Sequence, residues 1–379
     1  MFDTLSKYKD FMISKKNFLT WLLITSSVLN LGASKIEIAN SAASLGVNSN
    51  GGGIIKFTLN NDTVNPFTWK LSQEQMPMNN RNGAPFEGHF ICLGRWGNPT
   101  EGEIRAGIPN NGQIGNMLWN VINQTDRELE FSVNSDLDLM SLNRRIFLDD
   151  REPVFLVKDS VTNQSTLGRL FNIVQHATLG SPFLNSGTLI DTNASVGFMQ
   201  DNWKPNPESH SFAWPVGISA NNDSVINLRK SNGLESYVAT HLIKDSIGWI
   251  TAYSPQHKLL LGYIWQTKDY PWINVWHQTE NKIPVAKGIE FGTTGIGAPY
   301  QELLNNTSFY GVDSFMFFDA LESFQKKFLC FLIPINEPLD GIESIELKEG
   351  TLELYPYSND ETKQKKEPLF IQSKLVNEL

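Results

Sequence analysis

Short apolar segments separated by clusters of turn residues recur along almost the whole sequence, and they constrain the fold more than any other feature. Residues 35–39 alternate apolar and polar side chains, and residues 51–59 follow a run of Gly, Asn and Ser. Such patterns are typical of β-strands. Further segments of this kind are residues 90–93, 118–122, 128–133, 144–148, 154–158, 168–175, 237–243, 248–253, 258–266, 272–277, 288–293, 314–318, 327–334 and 342–354. Helical periodicity is almost absent between them, so the sequence predicts an all-β sandwich rather than βαβ units.

The 379 residues could hold one large β domain or two ordinary ones. Because no repeat or flexible linker divides the chain, we expect a single domain over residues 35–356, followed by a charged tail over residues 357–379. Residues 1–34 have the features of a secretory signal peptide, with two lysines before an apolar run that ends in small residues. An N-terminal membrane anchor is the alternative, although the apolar run is shorter than a membrane-spanning helix needs. The sequence therefore predicts a periplasmic or secreted protein with no stable membrane span after signal removal.

Composition excludes some classes of function and leaves others open. A net charge of -9 without a basic block argues against nucleic-acid binding, which needs clustered Lys and Arg. The two cysteines, Cys92 and Cys330, do not have the spacing of a zinc site, and no motif for another metal or a cofactor is present. Many of the 10 Trp lie beside polar residues, which suits stacking on sugar rings. Aromatic side chains also fill the cores of β-sandwiches, so the count alone decides nothing.

Glu290 is a carboxylate in an otherwise apolar strand segment, residues 288–293. Because successive side chains of a strand point to opposite faces, Ile289 and Phe291 share one face and Glu290 stands on the other. One interpretation is a Glu at the solvent face of an antiparallel sheet. The other is a general base in an aromatic-lined sugar cleft, where a buried carboxylate has a chemical reason to be present.

Four segments place polar groups inside otherwise structural sequence: residues 88–97, 109–113, 171–183 and 272–292. Their order and content resemble the galactose mutarotase-like superfamily, in particular a divergent branch of aldose 1-epimerase-like proteins. The resemblance covers most of the chain. It implies a β-supersandwich of two large antiparallel sheets with a sugar site on a concave face. It also implies a mono- or oligosaccharide as the partner, and isomerase chemistry that needs neither a metal nor a cofactor.

The resemblance also implies roles for individual residues. A His matching His176 is the general acid of the family, and a Glu matching Glu290 is the general base. Interconversion of sugar anomers removes a proton from the C1 hydroxyl and donates one to the ring oxygen, which suits such a pair. We expect the Glu to be ionised and the His protonated, because opposite charges stabilise each other at short distance. The family has a second His in an early loop, and here Asn111 occupies that place, which removes a titrating group.

Four further residues are candidates for substrate binding. Arg95 has forked donors that could hold sugar hydroxyls or could equally pin a turn. His89, at the start of a strand, has a structural interpretation beside its ligand interpretation. Gln175 belongs to the same segment as His176. Trp276 shares a strand face with Trp272 and Asn274, and this face could be a sugar platform or a core with one satisfied amide.

The sequence leaves three functions open. The first is an aldose 1-epimerase-like isomerase that acts through His176 and Glu290. The second is a non-catalytic carbohydrate-binding protein on the same fold, which the substitution at Asn111 favours. The third is a polysaccharide lyase or hydrolase, and hydrolysis would require a second carboxylate near Glu290. Candidates for that carboxylate are Asp201, Glu208 and Asp245.

Overall fold

The computed structural model describes residues 32–219, 223–233, 235–357 and 367–379. Within these ranges the regular secondary structure consists mainly of antiparallel β-strands. In chain order the strands are β1 (Lys35–Ala39), β2 (Ala43–Asn48), β3 (Gly53–Leu59), β4 (His89–Leu93), β5 (Asn120–Gln124), β6 (Glu128–Ser135), β7 (Met140–Leu148), β8 (Val154–Asn163), β9 (Arg169–Phe171), β10 (Ile173–Leu179), β11 (Leu189–Thr192), β12 (Ala194–Met199), β13 (Phe212–Ala213), β14 (Val216–Ile218), β15 (Val225–Asn227), β16 (Tyr237–Ile243), β17 (Ile247–Ser254), β18 (Leu259–Gln266), β19 (Trp272–Glu280), β20 (Ile283–Gly292), β21 (Ser308–Phe309), β22 (Val312–Asp313), β23 (Met316–Phe318), β24 (Ser323–Pro334), β25 (Ile342–Lys348), β26 (Thr351–Pro356) and β27 (Leu369–Gln372).

Helices are short in the described parts of the chain. The α-helices are α1 (Glu101–Arg105) and α2 (Tyr300–Leu303), and the 3-10 helices are Met78–Asn80, Ile114–Asn116, Gln200–Asn202, Pro207–His210 and Lys374–Glu378. Helix α1 begins with a capping box, in which the Thr100 side chain accepts from the Glu103 backbone N–H and the Glu103 side chain accepts from that of Thr100. No helix in these ranges is long and apolar enough to cross a membrane.

Two large sheets form the body of the molecule. Ten strands make the first sheet, in the order β1-β2-β3-β4-β10-β20-β19-β16-β12-β13, and eight make the second, in the order β11-β17-β18-β24-β8-β7-β6-β5. The main apolar core contains side chains from both sheets, such as Ile289 and Phe291 of β20 and Phe328 and Cys330 of β24. The all-β fold with two large antiparallel sheets, predicted from the sequence, is therefore confirmed.

A small three-stranded sheet, β25-β26-β27, packs on the eight-stranded sheet. Ile371 of β27 is buried in the apolar cluster that this packing forms, together with Leu352, Leu354 and Leu260. The tail predicted over residues 357–379 is corrected here: residues 369–378 are a paired strand and a 3-10 helix whose apolar side chains are buried. The signal peptide lies almost wholly outside the described residues and stays a prediction.

Candidate functional site

Strand alternation places one set of side chains on the outer face of the ten-stranded sheet. Along β20, Ile289 and Phe291 enter the core, and Glu290 points to the other face. Along β19, Ile273 and Val275 are core residues, whereas Trp276 lies in a cleft on the outer face. The alternation expected from the sequence is therefore confirmed. Glu290 is nevertheless buried, with 1% of its surface exposed, so it is not an ordinary solvent-facing Glu.

His176 and Glu290 are in direct contact at the bottom of this cleft. Gln175 of β10 pairs with Phe291 of β20, and Thr178 pairs with Gly288, so this register sets His176 opposite Glu290. Nε2 of His176 is 3.2 Å from Oε1 of Glu290. The other ring nitrogen, Nδ1, is 2.9 Å from the Thr178 hydroxyl oxygen. The structure thus brings together the two residues that the sequence predicts as an acid–base pair.

Burial controls the protonation of the pair. It raises the pKa of Glu290 well above the usual value, and an interaction with the Trp96 side chain only partly opposes this shift. It lowers the pKa of His176 to about 3, opposed in part by a backbone hydrogen bond. Both directions favour the uncharged forms. The ionised pair expected from the sequence is corrected, because removing both groups from water outweighs their mutual attraction.

The cleft has a volume of about 370 Å³ and predominantly aromatic walls. Phe90 stacks on the His176 ring with a centroid distance of 4.2 Å, and Trp69 meets Trp276 edge to face at 5.4 Å. The side chains and backbone that line the cleft belong to Trp69, Leu71, Pro77, Phe86, Phe90, Trp96, Gly97, Asn98, Asn110, Asn111, His176, Gln200, Val238, Trp276, Glu290 and Gly297. Flat apolar walls of this kind fit the C–H faces of a sugar ring.

Amide side chains supply most of the polar lining. Asn111 adopts a backbone φ of 63°, a left-handed conformation that Asn tolerates, and its Oδ1 accepts a hydrogen bond from the Gly97 N–H at 2.8 Å. The side-chain oxygen of Asn111 therefore joins two loops of the cleft wall. Asn98, Asn110 and Gln200 add further amides. Among the described residues that line the cleft, Glu290 is the only carboxylate.

Arg95 does not line the cleft. Its guanidinium binds both carboxylate oxygens of Glu103, with Nη1 2.9 Å from Oε2, and it lies over the Tyr300 ring. Since Glu103 also caps helix α1, Arg95 fastens this helix to the end of β4. The sequence offered two interpretations of Arg95. The structure supports the one in which Arg95 pins a turn, and the substrate-binding role is corrected because the side chain lies outside the cleft lining.

His89 and Gln175 lie in the core between the two sheets. Gln175 is fully buried; its Oε1 accepts a hydrogen bond from Arg144 at 3.0 Å and its Nε2 donates to Asp159 at 2.8 Å. His89 contacts the Tyr263 hydroxyl at 2.9 Å and Oε1 of Gln175 at 3.2 Å. The substrate-binding role expected for both residues is corrected, because this buried polar network satisfies them on the face away from the cleft.

Several cleft residues are missing from the sequence-based set: Trp69, Phe86, Phe90, Asn98, Asn110 and Gln200. The only signal that the sequence offers for these cleft residues is the occurrence of aromatic residues near polar ones. Aromatic residues of the core show the same signal. The candidate second carboxylates also lie outside the cleft lining. Glu208 accepts a hydrogen bond from the Tyr310 N–H at 2.6 Å, and Asp245 accepts one from Asn193 at 2.9 Å.

Comparison with known proteins supports the fold. No family model and no curated protein matches this sequence. A galactose mutarotase related enzyme from Lactobacillus acidophilus superposes with a TM-score of 0.57 at 14% identity, covering 80% of this chain and 99% of the other. A galactose mutarotase-like protein from Clostridium acetobutylicum gives 0.57 at 16% identity, with 79% and 95% covered. A candidate aldose 1-epimerase from Escherichia coli K12 gives 0.56 at 13% identity, with 80% and 100% covered. The chain therefore has the galactose mutarotase-like fold, which confirms the resemblance predicted from the sequence at the level of the fold.

Proposed function

We propose that this protein is an aldose 1-epimerase-like isomerase that interconverts the anomers of a free sugar. The observation that supports this most is the contact between Nε2 of His176 and Oε1 of Glu290, 3.2 Å apart in an aromatic-lined cleft. The fold shared with galactose mutarotase-like structures agrees with the proposal. The predicted periplasmic or secreted location is kept as part of it.

The chemistry requires one group that gives a proton and one that takes a proton. In a cyclic sugar the ring oxygen and the C1 hydroxyl are bonded to the same carbon, so two adjacent protein groups can reach both. Ring opening moves the hydroxyl proton to the protein and a protein proton to the ring oxygen, while the C1–ring oxygen bond breaks. The aldehyde end then rotates, and the ring closes from the other face. In the uncharged form of the pair Glu290 holds the exchangeable proton, and in the ion-paired form His176 holds it. Either form therefore contains one group that can give a proton and one that can take a proton.

A non-catalytic sugar-binding protein is the second candidate. The observation that favours it is Asn111, which supplies an amide where the resemblance leads us to expect a titrating His. Its Oδ1 already accepts a hydrogen bond from the Gly97 N–H. The residue at this position therefore has a structural role in the loop in addition to any contact with a ligand. Glycoside hydrolysis is less well supported, because it uses two carboxylates and the described cleft lining contains one.

The test is proton NMR or polarimetry of freshly dissolved α-glucose and α-galactose with purified protein and with a Glu290→Gln variant. We expect the wild type to accelerate equilibration, and the variant to lose about 10²-fold or more of this rate, the usual size of an acid–base contribution. Glu101→Gln is the matched control, because the Glu101 side chain is 94% exposed at the surface.

The possible results separate the candidates. Acceleration that only Glu290→Gln abolishes supports the isomerase. No acceleration, together with a sugar-dependent change in Trp fluorescence, supports the binding protein instead. If both signals are absent for both sugars, neither proposal holds for these hexoses.

A further inference from the structure

Trp96 brings a hydrogen-bond donor into the part of the cleft that contains Glu290. It lies in the loop after β4 and lines the cleft, with 9% of its surface exposed. Its ring packs in an apolar cluster that includes Phe86 and Phe90. The backbone of Gly297 lies against the ring as well, since a Cβ added to Gly297 would be 3.4 Å from it. Contacts with the cluster and with this backbone therefore fix the orientation of the indole.

One carboxyl oxygen of Glu290 lacks a partner. Oε1 is 3.2 Å from Nε2 of His176, whereas Oε2 is buried and has no hydrogen-bond partner in the described part of the chain. An indole N–H can only donate, and its interaction with the carboxyl group lowers the pKa of Glu290 against the larger effect of burial. Active-site hydrogen bonds are often long in a ligand-free protein and tighten when substrate binds. The Trp96 donor thus favours the ionised carboxyl group over the protonated one.

Two hydrogen bonds hold Gly97, the residue that follows Trp96. The Gly97 N–H donates to Oδ1 of Asn111 at 2.8 Å, and the Asn111 N–H donates to the Gly97 carbonyl oxygen at 3.2 Å. Both donors are backbone N–H groups, so the direction of each bond is fixed. Gly97 has a φ of +91°, and a Cβ there would lie 2.9 Å from the carbonyl oxygen of Gly297. Asn111 thus fastens the loop at the point where it carries Trp96 into the cleft.

Asn80 anchors the loop of Asn111 from the other side. The Asn110 N–H donates to Oδ1 of Asn80 at 3.1 Å, and Nδ2 of Asn80 donates to the Asn110 carbonyl oxygen at 3.1 Å. Asn80 is fully buried, so this reciprocal pair is shielded from water. Asn111 therefore stands between a buried amide on one side and Gly97 on the other, and its position is defined independently of a ligand.

We infer that Trp96 and Asn111 are positioning residues for the acid–base pair. The indole N–H of Trp96 donates to the carboxylate of Glu290, and Asn111 holds the loop that carries this indole. The donor stabilises the form of the pair in which Glu290 takes a proton and His176 gives one. No bond to Trp96 or Asn111 forms or breaks in the reaction. The effect on catalysis rests on the proposed function, whereas the contact between Trp96 and Glu290 does not.

The groups packed around Glu290 do not supply a competing charge. Burial raises the pKa of the Cys92 thiol of β4 well above its usual value, and the charge of Glu290 adds to this shift. Burial lowers the pKa of His176 of β10 to about 3. Trp276 of β19 does not titrate, and the described lining of the cleft contains no Lys or Arg. Trp96 is therefore the donor in this lining whose removal should change the titration of Glu290.

The direct test is carbon NMR of the sugar-free full chain with ¹³C-labelled Glu carboxyl groups. The Glu290 signal is identified by its loss in a Glu290→Gln variant. Trp96→Phe keeps an aromatic ring in the cleft wall but removes the N–H. We expect it to move the midpoint of the Glu290 titration to higher pH by about one pH unit or more, the size of one hydrogen bond to a charged group.

Trp249→Phe is the control for the loss of an indole. Trp249 is 3% exposed and packs in the apolar cluster under the small three-stranded sheet, away from the cleft. It should leave the Glu290 titration unchanged. An unchanged midpoint in Trp96→Phe would overturn the inference. A wild-type Glu290 signal that does not titrate up to pH 10 would overturn it as well, because the carboxylate that Trp96 is inferred to stabilise would then be absent.

Asn111→Gly tests the role of the loop. A φ of 63° is open to Gly, so the change removes Oδ1 without straining the backbone. We expect the Glu290 midpoint to rise, and the double variant with Trp96→Phe to show no larger rise than Trp96→Phe alone, because Asn111 acts through Trp96. Asn281→Gly is the matched control, since Asn281 has a φ of 50° in the turn between β19 and β20. Additive effects of the two substitutions would contradict the positioning role of Asn111.

Kinetics of the same variants separate positioning from sugar binding. Because the pair acts while it holds one exchangeable proton, the rate falls as pH rises through the raised pKa of Glu290. We expect Trp96→Phe to move this falling limb to higher pH and to lower kcat about tenfold with little change in KM. A higher KM at unchanged kcat would show that Trp96 only binds sugar. The NMR result does not depend on turnover, so an inactive wild type whose Glu290 responds to Trp96→Phe would refute the proposed function but not the contact.

Discussion

Gly112 shows how closely the loop of Asn111 approaches strand β4. Its φ is +82°, and an added Cβ would lie 1.8 Å from the carbonyl oxygen of Leu93, the last residue of β4. A backbone clash of this size cannot be relieved by a side-chain rotation. The position of Asn111 in the cleft wall therefore depends on the missing side chain of its neighbour.

Gly112→Ala should displace this loop. We expect weaker sugar binding and a loss of unfolding free energy of more than about 1 kcal/mol, because strain at φ > 0 adds to the clash. Gly107→Ala is the matched control, since Gly107 has a φ of +90° but its nearest atom would be 3.6 Å away. The measurements are urea denaturation and sugar titration by Trp fluorescence. Equal effects of the two substitutions would show that the approach to Leu93 is unimportant.

Strand periodicity determined which site residues could be found from the sequence. It places Glu290 and Trp276 correctly, because each stands on the opposite face from apolar neighbours. The same rule argues against Gln175, since neighbouring residues 175 and 176 of one strand cannot both face the cleft. Whether His89 would face the cleft or the core depends on its partners Tyr263 and Gln175, which are 174 and 86 residues away in sequence. No local pattern encodes such distant contacts.

At the scale of elements, β27 shows how a strongly charged segment can hide a folded one. The charged run at residues 360–367 led to the prediction of a tail, yet Ile371 is 3% exposed and Phe370 is 61% exposed. This alternation over a four-residue strand is too short to stand out against its surroundings. The strand forms because β26 offers an edge and the eight-stranded sheet offers an apolar face.

Neighbouring substitutions in β27 test whether it belongs to the fold. We expect Ile371→Ala to lower the free energy of unfolding by about 2–5 kcal/mol, because it opens a cavity in a packed cluster. Phe370→Ala, one residue away on the exposed face, should change it by less than about 0.5 kcal/mol. Urea denaturation of the full chain measures both. Similar small effects would mean that β27 contributes little to stability.

At the scale of the whole molecule, buried histidines link stability to pH. His176, His241 and His277 each have a pKa lowered to about 3 by burial, and that of His89 is also lowered well below its usual value. In the unfolded chain they bind a proton near pH 6.5. Between these values the unfolded state binds more protons, so stability falls as pH drops from 6.5 toward 3. Buried carboxyls with raised pKa, such as Glu290, act in the opposite sense and reduce the slope.

His241→Leu isolates one of these contributions. Neither ring nitrogen of His241 has a hydrogen-bond partner in the described structure, so the substitution removes no such bond. Between about pH 6 and 4 we expect the unfolding free energy of the variant to change less steeply with pH than that of the wild type. The difference in slope is the contribution of one proton, about 1.4 kcal/mol per pH unit. Urea denaturation across pH 4–9 measures it. The difference between variant and wild type should be constant above pH 7.5, and a constant difference over the whole range would refute the linkage.

The overall architecture was predictable because many short strands give many independent observations of one pattern. The cleft itself was only partly predictable, since its walls come from loops such as residues 96–98 and 110–111 and from the 3-10 helix Gln200–Asn202. Their meeting depends on the closure of the whole sandwich. Sequence spacing carries no information about such distances.

The alternation along β20 has a consequence for how the chain assembles. The ladder between β19 and β20 is regular from Trp272 to Gln278, with Asn274 opposite Glu290. A slip of β20 by one residue would drive the carboxyl group of Glu290 into the hydrocarbon interior and turn Phe291 outward. Such a mispaired sheet would be destabilised on both faces, by a carboxyl group buried in the core and by an aromatic ring exposed on the outer face. The residue proposed for chemistry thus also helps to specify the register of β20, because a slip by one residue removes it from the cleft.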